Sequence, residues 1–231
     1  MTYRSEGIAP SARTAPNQLA DQLDTSPTEV LALVILWSAR EPQRVGEVAL
    51  LPDEHPIWLF GRDPLHAGLD GIESRNPAAH GETPVPNLPS TTTPNSEPPA
   101  VVNFLRQRPE GLEPARTVPS AIAGESISRL QLYITHRKDS LLVQNVGRCQ
   151  LIVNGRSMQA AVVNPGDTLY LCNQLLLLCV RRPLRLPPLR AYPRARVGDF
   201  GGPDLDGMIG ESPAMWHLRE RLAACARSAQ N

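Results

Sequence analysis

The sequence predicts an all-β fold for the C-terminal half of this 231-residue chain. Between residues 127 and 178, short runs of Leu, Ile, Val and Tyr alternate with Gly, Asn, Asp and Pro, a pattern typical of strands joined by tight turns. Asn154-Gly155 fits a type I′ hairpin, because both central residues of that turn need a positive φ angle. Residues 164–167, Asn-Pro-Gly-Asp, predict a second turn. Function is therefore expected on the loops.

Three further strand candidates lie nearer the N-terminus. Residues 29–37 are rich in Leu, Val and Ile and predict a strand, although a buried helix also fits so short an apolar run. Residues 44–51 alternate between polar and apolar and also predict a strand. Residues 56–60 form the third candidate, which ends at Gly61-Arg62-Asp63. These strands would complete one domain over residues 29–182.

Two segments lack a strand pattern. Residues 1–28 are polar and rich in Ser, Thr, Ala and Pro, which predicts a disordered tail. Residues 64–119 predict a long, disordered, low-complexity insertion in one loop, because stretches such as 91–99 cannot bury enough apolar surface to become ordered. Within this insertion, residues 101–108 are more apolar and able to dock on the domain.

The C-terminal part changes character twice. Residues 183–206 are rich in Pro and Arg and predict an extended linker. Its arginines could contact nucleic acid or an acidic partner, but solvated linker charge is favoured because no aromatic or helical framework accompanies them. A helix follows, with Ser212 as its N-cap. Four of its apolar residues recur at helical spacing: Met215, Leu218, Leu222 and Cys225. Little of the chain remains for this apolar face to pack against.

Composition excludes several function classes. Lys+Arg and Asp+Glu both number 23, so no net field draws the chain to nucleic acid or to an anionic membrane. A Walker loop needs Gly-Lys, whereas the sole lysine, Lys138, follows an arginine. The cysteines lack CxxC spacing and the histidines form no metal-like cluster, so neither metal nor cofactor is expected. With neither a signal peptide nor a spanning segment, we expect a soluble, cytoplasmic protein.

Four short motifs at strand ends resemble those of the forkhead-associated (FHA) domain. They are Gly61-Arg62, Ser128-Arg129, Val153-Asn154-Gly155 and Pro165-Gly166-Asp167, and the resemblance covers residues 30–182. It implies a β-sandwich that binds phosphothreonine peptides through the loops at one end.

The resemblance implies a role for each site residue. Arg62 would hold the phosphate through its guanidinium fork, with Gly61 allowing a tight turn beside it. Ser128 would donate its hydroxyl to a phosphate oxygen, and Arg129 would add a second charge. Asn154 would shape the peptide-facing edge.

Two positions depart from the family pattern. Gln131 stands where the family usually has a His that supports the loop, and Cys149 stands where it has an Asn that holds the peptide backbone. Arg148, in the same loop, could compensate by binding the phosphate or a nearby acidic residue.

A second resemblance concerns residues 207–215, Gly-Met-Ile-Gly-Glu-Ser-Pro-Ala-Met. They look like the opening of the AAA+ domain of sigma-54-dependent transcription activators, and the chain stops before the nucleotide-binding loop. Residues 207–231 would then be the start of a truncated AAA+ domain. The resemblance implies a phosphothreonine-containing partner and a link to the sigma-54 machinery, without direct DNA binding.

The resemblances together imply a phosphopeptide-binding signalling module that regulates sigma-54-dependent transcription, and two other functions are alternatives to it. A phosphate-independent interaction scaffold is favoured by the missing His and Asn and disfavoured by the retained Gly-Arg and Ser-Arg. An enzyme is disfavoured, because no GxSxG elbow occurs. The triad Ser128, His136 and Asp139 would also not converge from one strand region.

Overall fold

The computed structural model describes residues 28–65, 99–112 and 120–228, and within them the predicted all-β sandwich is confirmed. Eleven strands and one α-helix occur in this part of the chain: β1 (Glu29–Ser38), β2 (Val48–Leu51), β3 (Ile57–Phe60), β4 (Ala100–Val101), β5 (Leu132–Arg137), β6 (Ser140–Asn145), β7 (Leu151–Val153), β8 (Arg156–Ser157), β9 (Ala160–Val163), β10 (Thr168–Leu171), β11 (Leu175–Pro183) and α1 (Pro213–Ser228). None of the helices described is long and apolar enough to cross a membrane.

Two sheets enclose one hydrophobic core. The first has the order β2-β1-β11-β10-β7-β8 and the second β4-β3-β5-β6-β9. Successive side chains of a strand point to opposite faces, so alternate residues such as Leu31, Leu33 and Ile35 of β1 enter the core, where each is at most 4% exposed. The alternation that predicted strands therefore also determines which residues form the core.

Both predicted turns are confirmed. Asn154 and Gly155 join β7 to β8 with φ angles of 49° and 79°. In the turn between β9 and β10, the backbone N–H of Asp167 donates to the carbonyl oxygen of Asn164 at 3.0 Å. Gly166 has a φ of 99° there, which suits the third residue of a type II turn.

The strand predicted over residues 44–51 begins later, at Val48. Arg44 ends a 3-10 helix (Pro42–Arg44), and its side chain is fully buried against Glu47, with Nε 2.7 Å from Oε2. The other guanidinium nitrogens donate to the carbonyl oxygens of Ser120 and Ala121 at 2.9 and 2.8 Å. Arg44 and Glu47 are three positions apart, so a strand would place them on opposite faces, whereas here they form a buried ion pair.

Residues 99–112, here termed the strap, cross from one sheet to the other. β4 pairs in parallel with β3, and Leu105 exchanges two backbone hydrogen bonds with Val48 of β2. Val102 and Phe104 are buried at 1% and 0% exposure, so the predicted docking of residues 101–108 is confirmed. The rest of the expected insertion, 66–98 and 113–119, lies outside the described residues, as do residues 1–27 of the expected tail.

The proline-rich segment after β11 packs against α1 and does not extend freely as a linker. It contains a 3-10 helix (Arg194–Arg196), and Tyr192 is only 5% exposed. The carboxylate of Glu220 on α1 accepts the backbone N–H groups of residues 190–192 at 2.8–3.1 Å. Asp204 accepts a hydrogen bond from Nε of Arg219 at 2.7 Å.

The helix begins as predicted but presents a different face. The hydroxyl oxygen of Ser212 accepts the N–H of Met215 at 3.2 Å, which confirms the N-cap. The side chains of Trp216 and Arg219 are buried against the preceding part of the protein, at 4% and 3% exposure. Leu218 and Leu222 of the predicted apolar stripe are 43% and 50% exposed. The helix is therefore docked by an arginine and an indole ring.

Candidate functional site

Three loops meet at one end of the sandwich. Phe60 at the end of β3 pairs with Leu132 at the start of β5, and Leu132 pairs with Asn145 at the end of β6. The loops at these strand ends, residues 61–63, 126–131 and 146–150, are here termed the rim. Residues 127–131 belong to the rim, because β5 begins only at Leu132.

Backbone hydrogen bonds join the first two loops. The N–H of Arg62 donates to the carbonyl oxygen of Ser128 at 3.2 Å, and the N–H of Asp63 donates to that of Arg129 at 3.2 Å. A Cβ atom on Gly61 would lie 1.9 Å from the carbonyl oxygen of Arg129. Gly61 is therefore required by the close approach of two loops, and Arg62 is held beside Ser128.

Ser128 also joins the third loop. Its hydroxyl oxygen accepts the backbone N–H of Arg148 at 2.9 Å, and its own N–H donates to Oε1 of Gln131 at 3.1 Å. Among the described residues, no acceptor takes the hydroxyl hydrogen of Ser128. That hydrogen is therefore available to an acceptor from outside.

Gln131 is the buried centre of the rim, at 0% exposure. Its Nε2 donates to Oδ1 of Asn145 at 2.7 Å and to the carbonyl oxygen of Cys149 at 2.9 Å. Its backbone N–H donates to the carbonyl oxygen of Phe60 at 2.7 Å. A Cβ on Gly147 would lie 2.3 Å from its side-chain carbon Cδ. The side-chain amide thus joins the second and third loops, and the backbone N–H links them to the end of β3, so Gln131 supports the rim as the resemblance expected of the His it replaces.

Cys149 faces the protein interior. Its thiol donates to the carbonyl oxygen of Ser126 at 3.0 Å, and its backbone N–H and carbonyl groups bind the amide of Gln131. Burial raises the pKa of the thiol, and the neighbouring Cys172 adds to the effect. The thiol therefore stays protonated near neutral pH. Cys149 does not replace the expected Asn as a group that reaches a ligand.

Each loop of the rim carries one exposed arginine: Arg62, Arg129 and Arg148. In the part of the chain that the structure describes, none of the three guanidinium groups has an ion pair. Asp63, the acidic residue on the first loop, already has an interaction of its own. Guanidinium groups bind phosphate and carboxylate through two parallel N–H donors. The rim is therefore suited to an anion.

Asn154 does not lie at the rim, contrary to its expected role beside the peptide. β7 carries the chain about 10 Å away from the rim before Asn154 is reached. There its amide donates to Oδ1 of Asp167 at 2.7 Å, and its Oδ1 accepts the N–H of Thr168 at 2.8 Å. The N–H of Asn164 and the amide of Asn154 lower the pKa of Asp167. Asn154 therefore joins two turns at the opposite end of the sandwich.

The residues considered for a hydrolase triad are not brought together. Ser128 precedes β5, whereas His136 and Asp139 lie near its far end, about 20 Å along the strand. Asp139 pairs with Arg181 at 2.5 Å, and burial lowers the pKa of His136. The described residues also contain no group of His, Cys, Asp and Glu that could hold a metal ion.

No protein-family model matches the chain, and no curated protein matches it. Among solved structures, it is similar to the FHA domain of the CT664 protein from Chlamydia trachomatis. The identity is 15% over 65% of this chain and 95% of that one, with a TM-score of 0.36.

Sequence reasoning identified the arginines and Ser128 but missed Asn145 and Gly147. Asn145 ends an apolar strand and donates its amide to the carbonyl oxygen of Cys149 at 2.9 Å. A glycine and an amide at a strand end are common in any turn, so neither residue carried a distinguishing signal.

Proposed function

We propose that this chain is an FHA-like signalling module that binds phosphothreonine peptides at the rim. The observation that supports the proposal is the placement of Arg62 and Ser128 on adjacent loops joined by backbone hydrogen bonds. An exposed guanidinium and an available hydroxyl hydrogen thus lie together at one end of the sandwich. The partner is a protein that carries phosphothreonine, and no catalytic step is involved.

The chemistry follows from the ligand's charge. A phosphothreonine carries between one and a half and two negative charges near neutral pH, together with three strong acceptor oxygens. Arg62 would donate two parallel hydrogen bonds to two of these oxygens, and Ser128 would donate its hydroxyl. Arg129, whose backbone accepts the N–H of Asp63, would add a second positive charge. The hydrogen bonds of Gln131 fix these loops before the ligand arrives, which reduces the entropy lost on binding.

The test is a fluorescence-polarisation titration against a degenerate phosphothreonine peptide library and its unphosphorylated twin. The wild type should bind only the phosphorylated library. Arg62→Ala should weaken that binding by roughly tenfold to a hundredfold, since a hydrogen bond to a charged group contributes about 1.5–3 kcal/mol. Arg156→Ala is the matched control, because this arginine is exposed on β8 away from the rim. Equal binding of both libraries by folded protein would contradict the proposal.

The alternative is a phosphate-independent interaction scaffold. It is favoured by the inward orientation of Cys149, because the thiol does not reach a ligand as the Asn of the resembled family does. It is also favoured by exposed apolar side chains near α1, such as Ile209 at 61% and Leu222 at 50% exposure. A scaffold would bind its partner equally well after Arg62→Ala, so the same variant separates the two functions.

We further propose that the bound signal regulates sigma-54-dependent transcription in the cytoplasm. This proposal is supported by the resemblance of residues 207–215 to the opening of an activator's AAA+ domain. A reporter gene behind a sigma-54 promoter should respond to the wild-type protein and lose that response with Arg62→Ala. A response that is unchanged in the variant would separate phosphopeptide binding from transcription.

A further inference from the structure

The exposed apolar stripe of α1 borders a groove. The groove lies between α1 and the proline-rich segment, has a volume of about 620 Å³, and is lined by apolar side chains from both: Ala191, Met208, Leu222, Ala223 and Ala226. Leu222 belongs to the stripe, and Leu218 lies four positions before it on the same helix face. A cavity of this size and apolar lining is typical of a binding site. It shares no residue with the rim.

The polar groups of the lining are mostly bonded to each other. The hydroxyl of Tyr192 donates to Oδ2 of Asp206 at 3.0 Å, and Nε of Arg196 donates to the same oxygen at 2.9 Å. The carboxylate of Asp206 is therefore neutralised within the protein. Arg227 also lines the groove, but it forms no ion pair with any residue that the structure describes. The groove thus offers an apolar floor and an available positive charge.

Hydrogen bonds fix both walls of the groove. The carboxylate of Glu220 on α1 accepts the N–H groups of Ala191 and Tyr192 at 3.0 and 2.8 Å, which joins the helix to the proline-rich segment. The N–H of Met208 donates to Oδ1 of Asp204 at 2.8 Å and holds the other wall. The groove is therefore formed before a ligand arrives, which reduces the entropy lost on binding.

The charge of α1 determines the kind of partner. The helix contains three arginines and one acidic residue, Glu220. Arg219 is buried in an ion pair, and the carboxylate of Glu220 accepts backbone N–H groups. Arg221 and Arg227 therefore face solvent, without an ion pair in the described part of the chain. A second copy of α1 would bring the same positive charges to this surface, and like charges oppose association. An acidic partner would be attracted.

We propose that this groove and the stripe beside it bind an acidic amphipathic helix of a partner protein. The partner helix would place an apolar side chain in the groove and pack its apolar face on Leu218 and Leu222, as amphipathic helices bind apolar grooves. Its acidic residues would pair with Arg221 and Arg227. This binding needs no phosphate, and it is separate from the function proposed for the rim.

The experiment uses the whole chain and three pools of fluorescent helical peptides. Each pool varies the apolar face among Leu, Ile, Met and Phe, and the flanking positions carry Glu, Gln or Lys. In fluorescence polarisation, the wild type should bind the Glu pool roughly threefold to tenfold more tightly than the Gln pool, as expected for two partly exposed ion pairs. It should bind the Lys pool least.

The arginines are tested by the double variant Arg221→Gln with Arg227→Gln. It should reduce the preference for the Glu pool over the Gln pool to less than about twofold, because no available charge remains beside the groove. The affinity for the Gln pool should be nearly unchanged. Arg137→Gln with Arg156→Gln, two exposed changes on β5 and β8, is the matched control.

The groove itself is tested by Ala226→Trp. The indole ring would fill the groove and should weaken binding of the Glu pool by at least about tenfold, since an apolar side chain of the partner could no longer be buried there. Ala224→Trp is the control, because this alanine is exposed on the same helix and does not line the groove. Both variants should keep the wild-type unfolding midpoint, because both positions are exposed.

The outcomes distinguish this proposal from the one for the rim. The groove proposal is wrong if no pool binds, if the three pools bind equally, or if Ala226→Trp binds as the wild type does. It is also wrong if Arg62→Ala removes the binding, since the peptide would then lie at the rim. Self-association of the wild type that Ala226→Trp abolishes would identify a second copy as the occupant instead. Phosphopeptide binding at the rim should survive Ala226→Trp and is tested separately.

Discussion

The fully buried amide of Gln131 both donates to and accepts from the backbone of Cys149, with Nε2 2.9 Å from the carbonyl oxygen and Oε1 3.4 Å from the nitrogen. These residues are 18 positions apart and belong to different loops. The pair therefore links the second and third loops of the rim beneath its surface. The loops that carry the exposed arginines are held by buried hydrogen bonds.

Replacing Gln131 by Leu should destabilise the protein by about 2–4 kcal/mol, because Asn145 and Cys149 would keep buried polar groups without partners. Urea denaturation followed by tryptophan fluorescence would measure the loss. Gln159→Leu is the control, since this glutamine is exposed between β8 and β9. Equal midpoints for the two variants would show that the amide is not a structural support.

Gly61→Ala should separate the first two loops of the rim. The added Cβ would meet the carbonyl oxygen of Arg129 at 1.9 Å, and backbone must move to relieve that contact. We expect phosphopeptide affinity to fall by at least about tenfold, because Arg62 would shift away from Ser128. Gly124→Ala, whose nearest contact would be an ordinary 3.7 Å, should leave the titration unchanged. Wild-type affinity in Gly61→Ala would contradict the arrangement described.

Arg44→Met should be strongly destabilising, by about 3–5 kcal/mol, because the fully buried Glu47 loses the arginine at 2.7 Å and is left with the more distant Nε of Arg106, at 3.4 Å. The double variant Arg44→Met with Glu47→Leu should recover part of the loss, since the buried carboxylate is removed together with Arg44 and the remaining Arg106 is partly exposed to solvent. Chemical denaturation of both, with the exposed Arg40→Met as control, measures the difference. A double variant no more stable than Arg44→Met would show that the hydrogen bonds to residues 120 and 121 matter more than the charge.

Acid should weaken the docking of α1. Burial opposes ionisation of Asp204, but the hydrogen bonds from Arg219 and from the N–H of Met208 outweigh it and lower its pKa to about 2. Because the folded pKa is depressed below its ordinary 3.8, the stabilisation is complete above about pH 4 and is lost as pH falls towards 2.

Unfolding free energies of the wild type and Asp204→Asn at pH 6 and pH 3 test this directly. The variant should be less stable at pH 6 and should lose less stability on acidification. Parallel pH dependence in the two proteins would contradict the assignment. Glu220→Gln is a second probe, because burial opposes its ionisation while the N–H groups of Tyr192 and Ala191 lower its pKa.

The sandwich was predictable where one local pattern determined the outcome. Alternating apolar residues and Asn154-Gly155 specify strands and a hairpin without distant information. The buried pair of Arg44 and Glu47 was not predictable, since the predicted strand would place residues three positions apart on opposite faces. The strap was only partly predictable, because the two-residue strand β4 depends on pairing with β3, which is distant in sequence.

The same distinction between local patterns and distant contacts applies to the candidate site. Gly61 and Arg62 follow β3 and Ser128 precedes β5, so these residues were recognisable as a set of motifs at strand ends. The role of Gln131 depends on partners from separate loops, which no local pattern reveals. Asn154 was misplaced because a turn motif specifies a backbone conformation and does not specify which end of the sandwich it occupies.

The strap has a consequence for how the protein can be divided. Arg108 binds the carboxylate of Glu211 at 2.6 Å, and the guanidinium groups of Arg106 and Arg108 lie 4.9 and 5.6 Å from the centre of the Phe200 ring. A fragment that ends at residue 182 would leave these arginines without those contacts. The sandwich and the helix should therefore unfold in one calorimetric transition. A fragment that contains the sandwich without the helix should be less stable than the whole chain.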